Sequence, residues 1–144
     1  MPRVLIADKL SPAAIDIFKQ RGVEADVKTG LTKDELLAII ANYDGLAVRS
    51  ATKADKDVIA AAKNLKVIGR AGIGVDNVDI PTATQAGIVV MNTPFGNSIT
   101  TAEHAIAMMF AVARQMPAAD ASTQAGKWEK NRFMGVEARG REGV

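Results

Sequence analysis

The sequence has no cysteine and a single histidine, His104, among its 144 residues. No disulfide and no cysteine-built structural metal site can therefore hold the fold, and a histidine-rich metal cluster is excluded as well. Also missing is an apolar run of about 18 residues, the least that spans a bilayer. Met1-Pro2-Arg3 leads straight into Val4-Leu5-Ile6-Ala7, which reads as a strand and not as the apolar part of a signal peptide. A soluble, cytoplasmic protein without a membrane partner is the expectation. Charge of one sign is scarce too. The formal net charge is +2, and residues 1–126 hold thirteen basic and thirteen acidic side chains. The excess sits in Lys127, Lys130, Arg132, Arg139 and Arg141, set against three acidic residues of the same tail. That is too thin a footprint for nucleic acid, although the pI is near 9.0.

What is present, 48% apolar and 24% charged residues with 12 Gly and 5 Pro, is the composition of a folded domain, and it excludes disorder and fibrous repeats. A chain of this size buries roughly two-thirds of its unfolded surface, enough for a core of its own.

Residues 1–97 alternate short apolar runs with helical patterns, the signature of a parallel α/β sheet with crossover helices. Strands are predicted at Val4–Ala7, Val23–Val27, Gly45–Val48, Val67–Gly69 and Ile88–Met91. Ser11-Pro12 opens a first helix that carries Ala14, Ile15 and Phe18 inward and stops at Gly22. Thr32-Lys33-Asp34-Glu35 is a capping box before Leu36, Leu37, Ile39 and Ile40. Asp55–Lys63 and Asp79–Ala86 supply two more helices, the second stopped by Gly87. Short apolar strands fit burial on both faces, and five of them favour a flavodoxin-like, doubly wound sheet of order 2-1-3-4-5. From Ser98 to Gln115 the pattern becomes one long helix with a second capping box at Thr100–Glu103 and a closing Pro117. Its Ile106, Met108, Met109, Phe110 and Val112 spread around much of the circumference, so it is expected to be covered on several sides by a second domain or subunit. A further helical stretch, Ala118–Ala125, ends at Gly126.

Ligands of open α/β sheets bind outside the carboxyl ends of the strands, which here directs attention to Arg49-Ser50-Ala51-Thr52, to Arg70-Ala71-Gly72-Ile73-Gly74-Val75-Asp76-Asn77, and to Asn92-Thr93-Pro94. Gly72-Ile73-Gly74 reads either as a tight turn needing positive φ or as a stretch whose amides approach an anion closely. It is not a dinucleotide fingerprint, because Asn77 stands where the third glycine belongs and no long helix follows. Arg49 and Arg70 are surface arginines or a pair converging on a carboxylate or phosphate; Asn92 is a turn residue or part of the same mouth. His104 and Glu103 read as structural, since no partner for acid/base or metal chemistry is spaced to suit them. A phosphoacceptor receiver domain needs an aspartate at the end of strand three, where Val48-Arg49 stands.

Four stretches together resemble the D-2-hydroxyacid dehydrogenases, and within them the branch that oxidises 3-phospho-D-glycerate. They are Arg49-Ser50-Ala51-Thr52-Lys53, the run Gly69 to Asp79, Val90-Met91-Asn92-Thr93-Pro94 with Gly96-Asn97-Ser98, and Gly126-Lys127-Trp128 through Phe133. The resemblance is collinear from residue 3 to about 141. It implies that 1–97 is a substrate-binding domain and that 98–144 is a crossover helix and tail. The tail would lead to a nucleotide-binding domain that these residues do not contain. It further implies that Gly72, Ile73 and Gly74 offer amides to the substrate carboxylate, that Arg49, Ser50, Arg70 and Asn92 help hold the substrate, and that Ile73 lies near the nicotinamide of NAD. Homodimers built through the 98–116 helix are implied, with Trp128, Lys130 and Arg132 reaching toward a neighbouring subunit. At Gly140-Arg141-Glu142-Gly143-Val144 the sequence parts from the family pattern. The family's catalytic arginine, glutamate and histidine have no counterparts here, and His104 does not match the last of them. The expectation is thus the substrate-binding portion of an NAD-dependent oxidoreductase of serine biosynthesis, without catalytic residues or a metal of its own and inactive as an isolated chain. The alternatives are a non-catalytic anion-binding and dimerisation module, or an enzyme of the same family acting on another 2-hydroxy acid.

Overall fold

The computed structural model describes residues 1–137; the charges of Arg139 and Arg141 and the divergent stretch from Gly140 lie outside the described residues. The chain divides into two units, Met1–Gly96 and Asn97–Val144.

The first unit contains strands β1 (Arg3–Ile6), β2 (Glu24–Val27), β3 (Gly45–Val48), β4 (Val67–Arg70) and β5 (Val89–Met91), alternating with helices α1 (Pro12–Gln20), α2 (Lys33–Ile39), α3 (Lys56–Ala61) and α4 (Ile80–Gln85). All neighbouring strands are parallel, and their order is β2-β1-β3-β4-β5. The chain thus has the doubly wound, five-stranded α/β architecture expected of it.

Because successive side chains of a strand point to opposite faces, the sheet separates two cores. Leu5, Ala7, Leu46, Val48 and Ile68 face one side, where Leu36 and Ile40 of the α2 region, Val58 and Ile59 of α3 and Ala83 of α4 close over them. Val4, Ile6 and Ala47 face the other side, packed against Phe18 of α1 with Leu10, Val23 and Ala25. This second face is only half covered. The register places Val4, Gly45, Val67 and Val89 in one row and Ile6, Ala47, Gly69 and Met91 in the next. At the end of those rows Val89 and Met91 are more than half exposed. Burial of every strand on both faces therefore fails at β5, an edge strand beyond the reach of α1. The inward placement expected of Ile15 on the first helix is corrected as well, since α1 leaves it 38% exposed.

Helix boundaries follow local chemistry. Arg21 ends α1 and Gly22 takes φ +70°, so that Val23 N–H donates to the Phe18 carbonyl and Gly22 N–H to that of Lys19, a Schellman closure. At α2 the capping box is complete: Thr32 Oγ1 accepts from Glu35 N–H, and the Glu35 carboxylate accepts from Thr32 N–H. Asp55 and Asp79 cap α3 and α4 through their carboxylates.

The second unit holds α5 (Ser98–Ala113) and α6 (Met116–Gln124). Two boundary expectations are corrected here. The box at Thr100–Glu103 does not form, because Asn97 is the N-cap and makes no side-chain cap bond, leaving Thr100 inside the first turn. Pro117 does not close α5. Gln115 breaks the helix by adopting a left-handed conformation, φ 52° and ψ 34°, and Pro117 then sits in the first turn of α6, where its missing N–H costs nothing. Ile106, Met108, Met109, Phe110 and Val112 are exposed. The tail folds back within this unit, Val136 N–H donating to the Ala113 carbonyl at 2.8 Å. Trp128 is exposed, and Arg132 pairs with Glu129 and lies over the Phe133 ring. No helix among the described residues is long and apolar enough to cross a membrane.

Candidate functional site

The strand order reverses direction between β1 and β3, and the crevice outside the carboxyl ends at such a switch is where open α/β sheets take ligands. Asp8 follows β1 there, and Arg49–Thr52 follow β3. Asp8 is buried, its Oδ2 accepting from Arg49 N–H at 2.6 Å and from Thr52 N–H at 3.2 Å, its Oδ1 from the Thr52 hydroxyl at 2.7 Å. Burial by itself would raise the Asp8 pKa. The bonds from the Thr52 hydroxyl and the Arg49, Thr52 and Ala51 amides outweigh it and hold the carboxyl below its ordinary range. An ionised Asp8 thereby folds the loop that presents Arg49 and Ser50, both exposed.

Arg70 is the last residue of β4 and pairs in register with Val48, so the two strand ends that carry Arg49 and Arg70 are neighbours. The side chain of Arg70 is only 13% exposed, which removes the reading of a solvated surface arginine. Its Nε–H donates to Asn77 Oδ1 at 3.0 Å, and the guanidinium lies over Gly72. A Cβ at residue 72 would stand 2.5 Å from Nη1 and 3.1 Å from Cζ of Arg70. The reading of Gly72-Ile73-Gly74 as a positive-φ turn is corrected by this geometry. Neither glycine has positive φ, and what requires a bare Cα at 72 is the arginine above it. Asp76 offers little compensation for the charge: its carboxylate is 4.0 Å from Nη2, with the aspartate side chain 89% exposed.

The loop after β5 orients the same stretch from the other side. Asn92 Nδ2 donates to the Ile73 carbonyl at 2.7 Å, and Thr93 N–H donates to the Gly72 carbonyl at 3.0 Å. In a trans peptide the carbonyl and the following N–H point in opposite directions. Fixing those two carbonyls toward the β5 loop therefore turns the Ile73 and Gly74 N–H groups away from it. Neither donates to a backbone carbonyl among the described residues, whereas the Gly72 N–H is engaged by the Arg70 carbonyl at 3.0 Å. Two oriented amides beside a guanidinium whose carboxylate neighbour is exposed and 4.0 Å away make a surface that can receive an anion. A cleft of about 340 Å³ lined by Val75, Ile80, Thr84, Ile88, Val90 and Asn92 adjoins it. Ile73 is 40% exposed.

Two buried polar residues organise the mouth and were not singled out from the sequence as site residues: Asp8 and Asn77, 7% and 9% exposed. A signal existed for Asp8, a lone carboxylate directly following an apolar strand. For Asn77 it was ambiguous, since the residue stood out only as the place where a third glycine was missing. His104 and Glu103 lie on α5, and no group of three or more metal-ligating side chains occurs among the described residues.

An open parallel sheet of order β2-β1-β3-β4-β5, with an arginine and oriented amides in its carboxyl-edge loops, defines a doubly wound α/β protein. Residues 4–141 match the family model of the D-isomer specific 2-hydroxyacid dehydrogenase catalytic domain, and the chain belongs to that family. It is 56% identical over 139 residues to a D-3-phosphoglycerate dehydrogenase of Archaeoglobus fulgidus, covering 96% of this chain and 26% of that one. Among solved structures, a Thermus thermophilus protein aligns with TM-score 0.81 and 34% identity over 96% of this chain and 46% of its own. An NAD⁺-bound 3-phosphoglycerate dehydrogenase of Entamoeba histolytica aligns with TM-score 0.70 and 33% identity, covering 78% of this chain and 39% of that one. The chain spans about a quarter of the length of the curated relatives it matches.

Proposed function

We propose that residues 1–97 form the substrate-binding portion of an NAD-dependent dehydrogenase that oxidises 3-phospho-D-glycerate, at the entry to serine biosynthesis in the cytoplasm. The observation that carries this is the Arg70 guanidinium, packed over Gly72 with only the exposed Asp76 carboxylate at 4.0 Å to compensate it, beside the outward Ile73 and Gly74 amides. A carboxylate fits two amides and one guanidinium edge, and Arg49 with Ser50 on the adjacent strand end suits the second anionic group of the same small molecule. The relatives' name, D-3-phosphoglycerate dehydrogenase, supports that choice over an unphosphorylated 2-hydroxy acid.

For NAD these residues offer one surface, the exposed aliphatic side chain of Ile73, which suits the face of a nicotinamide ring. When bound, the cofactor supplies the hydride acceptor. The chain's own residues bind and orient the acid: Arg70 and the amides fix one end, Asn92 and Thr93 hold the peptide planes that aim those amides, and Asp8 holds the loop bearing Arg49. Proton transfer is not assigned to any residue of this chain, so the 144-residue polypeptide is expected to bind substrate without turnover. The exposed apolar residues of α5 support self-association through that helix.

Calorimetric titration of the chain with 3-phospho-D-glycerate, with D-glycerate and inorganic phosphate as comparators, tests the assignment. Replacing Arg70 by Ala should weaken binding by about 1.5–3 kcal/mol, the range for a hydrogen bond to a charged group. Unchanged affinity, or equal affinity for inorganic phosphate, would overturn it.

A further inference from the structure

The buried carboxamide of Asn77 joins both halves of the mouth. Its Oδ1 accepts from Arg70 Nε–H at 3.0 Å, while its Nδ2 donates to the carbonyls of Arg49 and Thr52, each at 2.7 Å. Both acceptors belong to the loop after β3, and the Arg70 partner belongs to the end of β4. The Asn77 carbonyl adds a further tie on the backbone, accepting from Ala54 N–H at 2.9 Å. The amide orientation follows from its partners: two carbonyls require a donor, and a guanidinium N–H requires an acceptor. Of the side chains of this size only asparagine supplies both.

We infer that Asn77 is a positioning residue that aims Arg70 at the ligand and locks the 49–52 loop beside it, without neutralising the arginine. The inference rests on the anion-binding reading above and deepens it. A neutral acceptor fixes the Nε edge of the guanidinium without adding a second carboxylate to the exposed Asp76 at 4.0 Å. An aspartate at 77 would hold the same edge, but would pair the charge internally and set a carboxylate against two carbonyl oxygens. Asn77→Asp therefore keeps the Arg70 contact while losing both loop contacts and pairing the charge, whereas Asn77→Ala loses all three contacts.

The test uses the 144-residue chain with Asn77→Asp and Asn77→Ala. The first readout is the Arg70 Nε–Hε NMR signal, assigned by its disappearance in Arg70→Lys. The second is affinity for 3-phospho-D-glycerate. Asn77→Ala should lose the protected Nε–H signal and weaken binding tenfold or more. Asn77→Asp should retain the signal and still weaken binding at least tenfold. The amides of Leu46 and Ile68 in the core should stay unperturbed in both. An Arg70 signal that persists in Asn77→Ala, or an affinity that Asn77→Asp leaves intact, would overturn the inference. If Asn77→Ala does not fold, Asn77→Asp decides alone, because only it separates a retained signal from a lost affinity. If the unsubstituted chain binds no phosphoglycerate, the functional reading fails. The Nε–H signal then decides by itself whether Asn77 aims Arg70.

Discussion

The guanidinium of Arg70 occupies the space that a side chain at Gly72 would need, with Nη1 only 2.5 Å from the position of a Cβ there. The glycine and the arginine are therefore one device. The bare Cα lets the cation lie down on the loop, and the cation lying there sits beside the Ile73 and Gly74 amides.

Gly72→Ala should accordingly impair binding more than folding. The added methyl meets the far end of a flexible side chain, so the guanidinium swings away while the sheet stays intact. Affinity for 3-phospho-D-glycerate should fall about tenfold, roughly 1.4 kcal/mol, with stability to urea changed by less than about 1 kcal/mol. Calorimetry and a denaturant titration on the same sample separate the two effects.

Asp8→Ala should do the opposite first, because the Arg49 and Thr52 amides and the Thr52 hydroxyl all lose their acceptor. A loss of about 1–3 kcal/mol is expected from part-buried donors left unpaired. The same carboxylate gives a pH dependence. Its pKa is lower in the folded chain than the ordinary 3.8, so its stabilisation is complete above that value. It is lost as pH falls from 3.8 through the depressed folded value. Urea unfolding of the unsubstituted chain against Asp8→Ala at pH 6 and below pH 3 should show the difference between them shrinking in acid.

The exposed apolar side chains of α5 should drive self-association. Ile106, 52% exposed, can become Lys without loss of helix propensity. Sedimentation velocity over a concentration series should show association of the unsubstituted chain and its reduction in Ile106→Lys. A concentration-independent monomer in both cases would remove α5 as a subunit interface.

Much of this was legible from the residues. The strand order followed from five short apolar runs alternating with capped helices, and Thr32–Glu35 announced its helix by a capping box that forms as written. Arg70 and Gly72-Ile73-Gly74 could be placed at a strand end because β4 begins as a short apolar run, Val67-Ile68. Three features escaped for physical reasons. Gln115 in a left-handed conformation ends α5, which nothing in the local composition signals, so the following proline was given the wrong role. The bare Cα at Gly72 answers to a side chain folding back on it, a contact that spacing does not encode. Asn77 reaches Arg49, 28 positions away, and a long-range hydrogen bond from one amide leaves no periodic trace in the sequence.

The most direct test is an amide NMR titration of the 144-residue chain with 3-phospho-D-glycerate. Shifts should concentrate in Arg49–Thr52, Arg70–Asn77 and Asn92–Thr93, with the Ile73 and Gly74 amides moving most. Saturation without movement of those two amides, or shifts confined to the opposite edge of the sheet at Arg3, Asp44 and Lys66, would contradict substrate binding at the carboxyl ends of β3, β4 and β5.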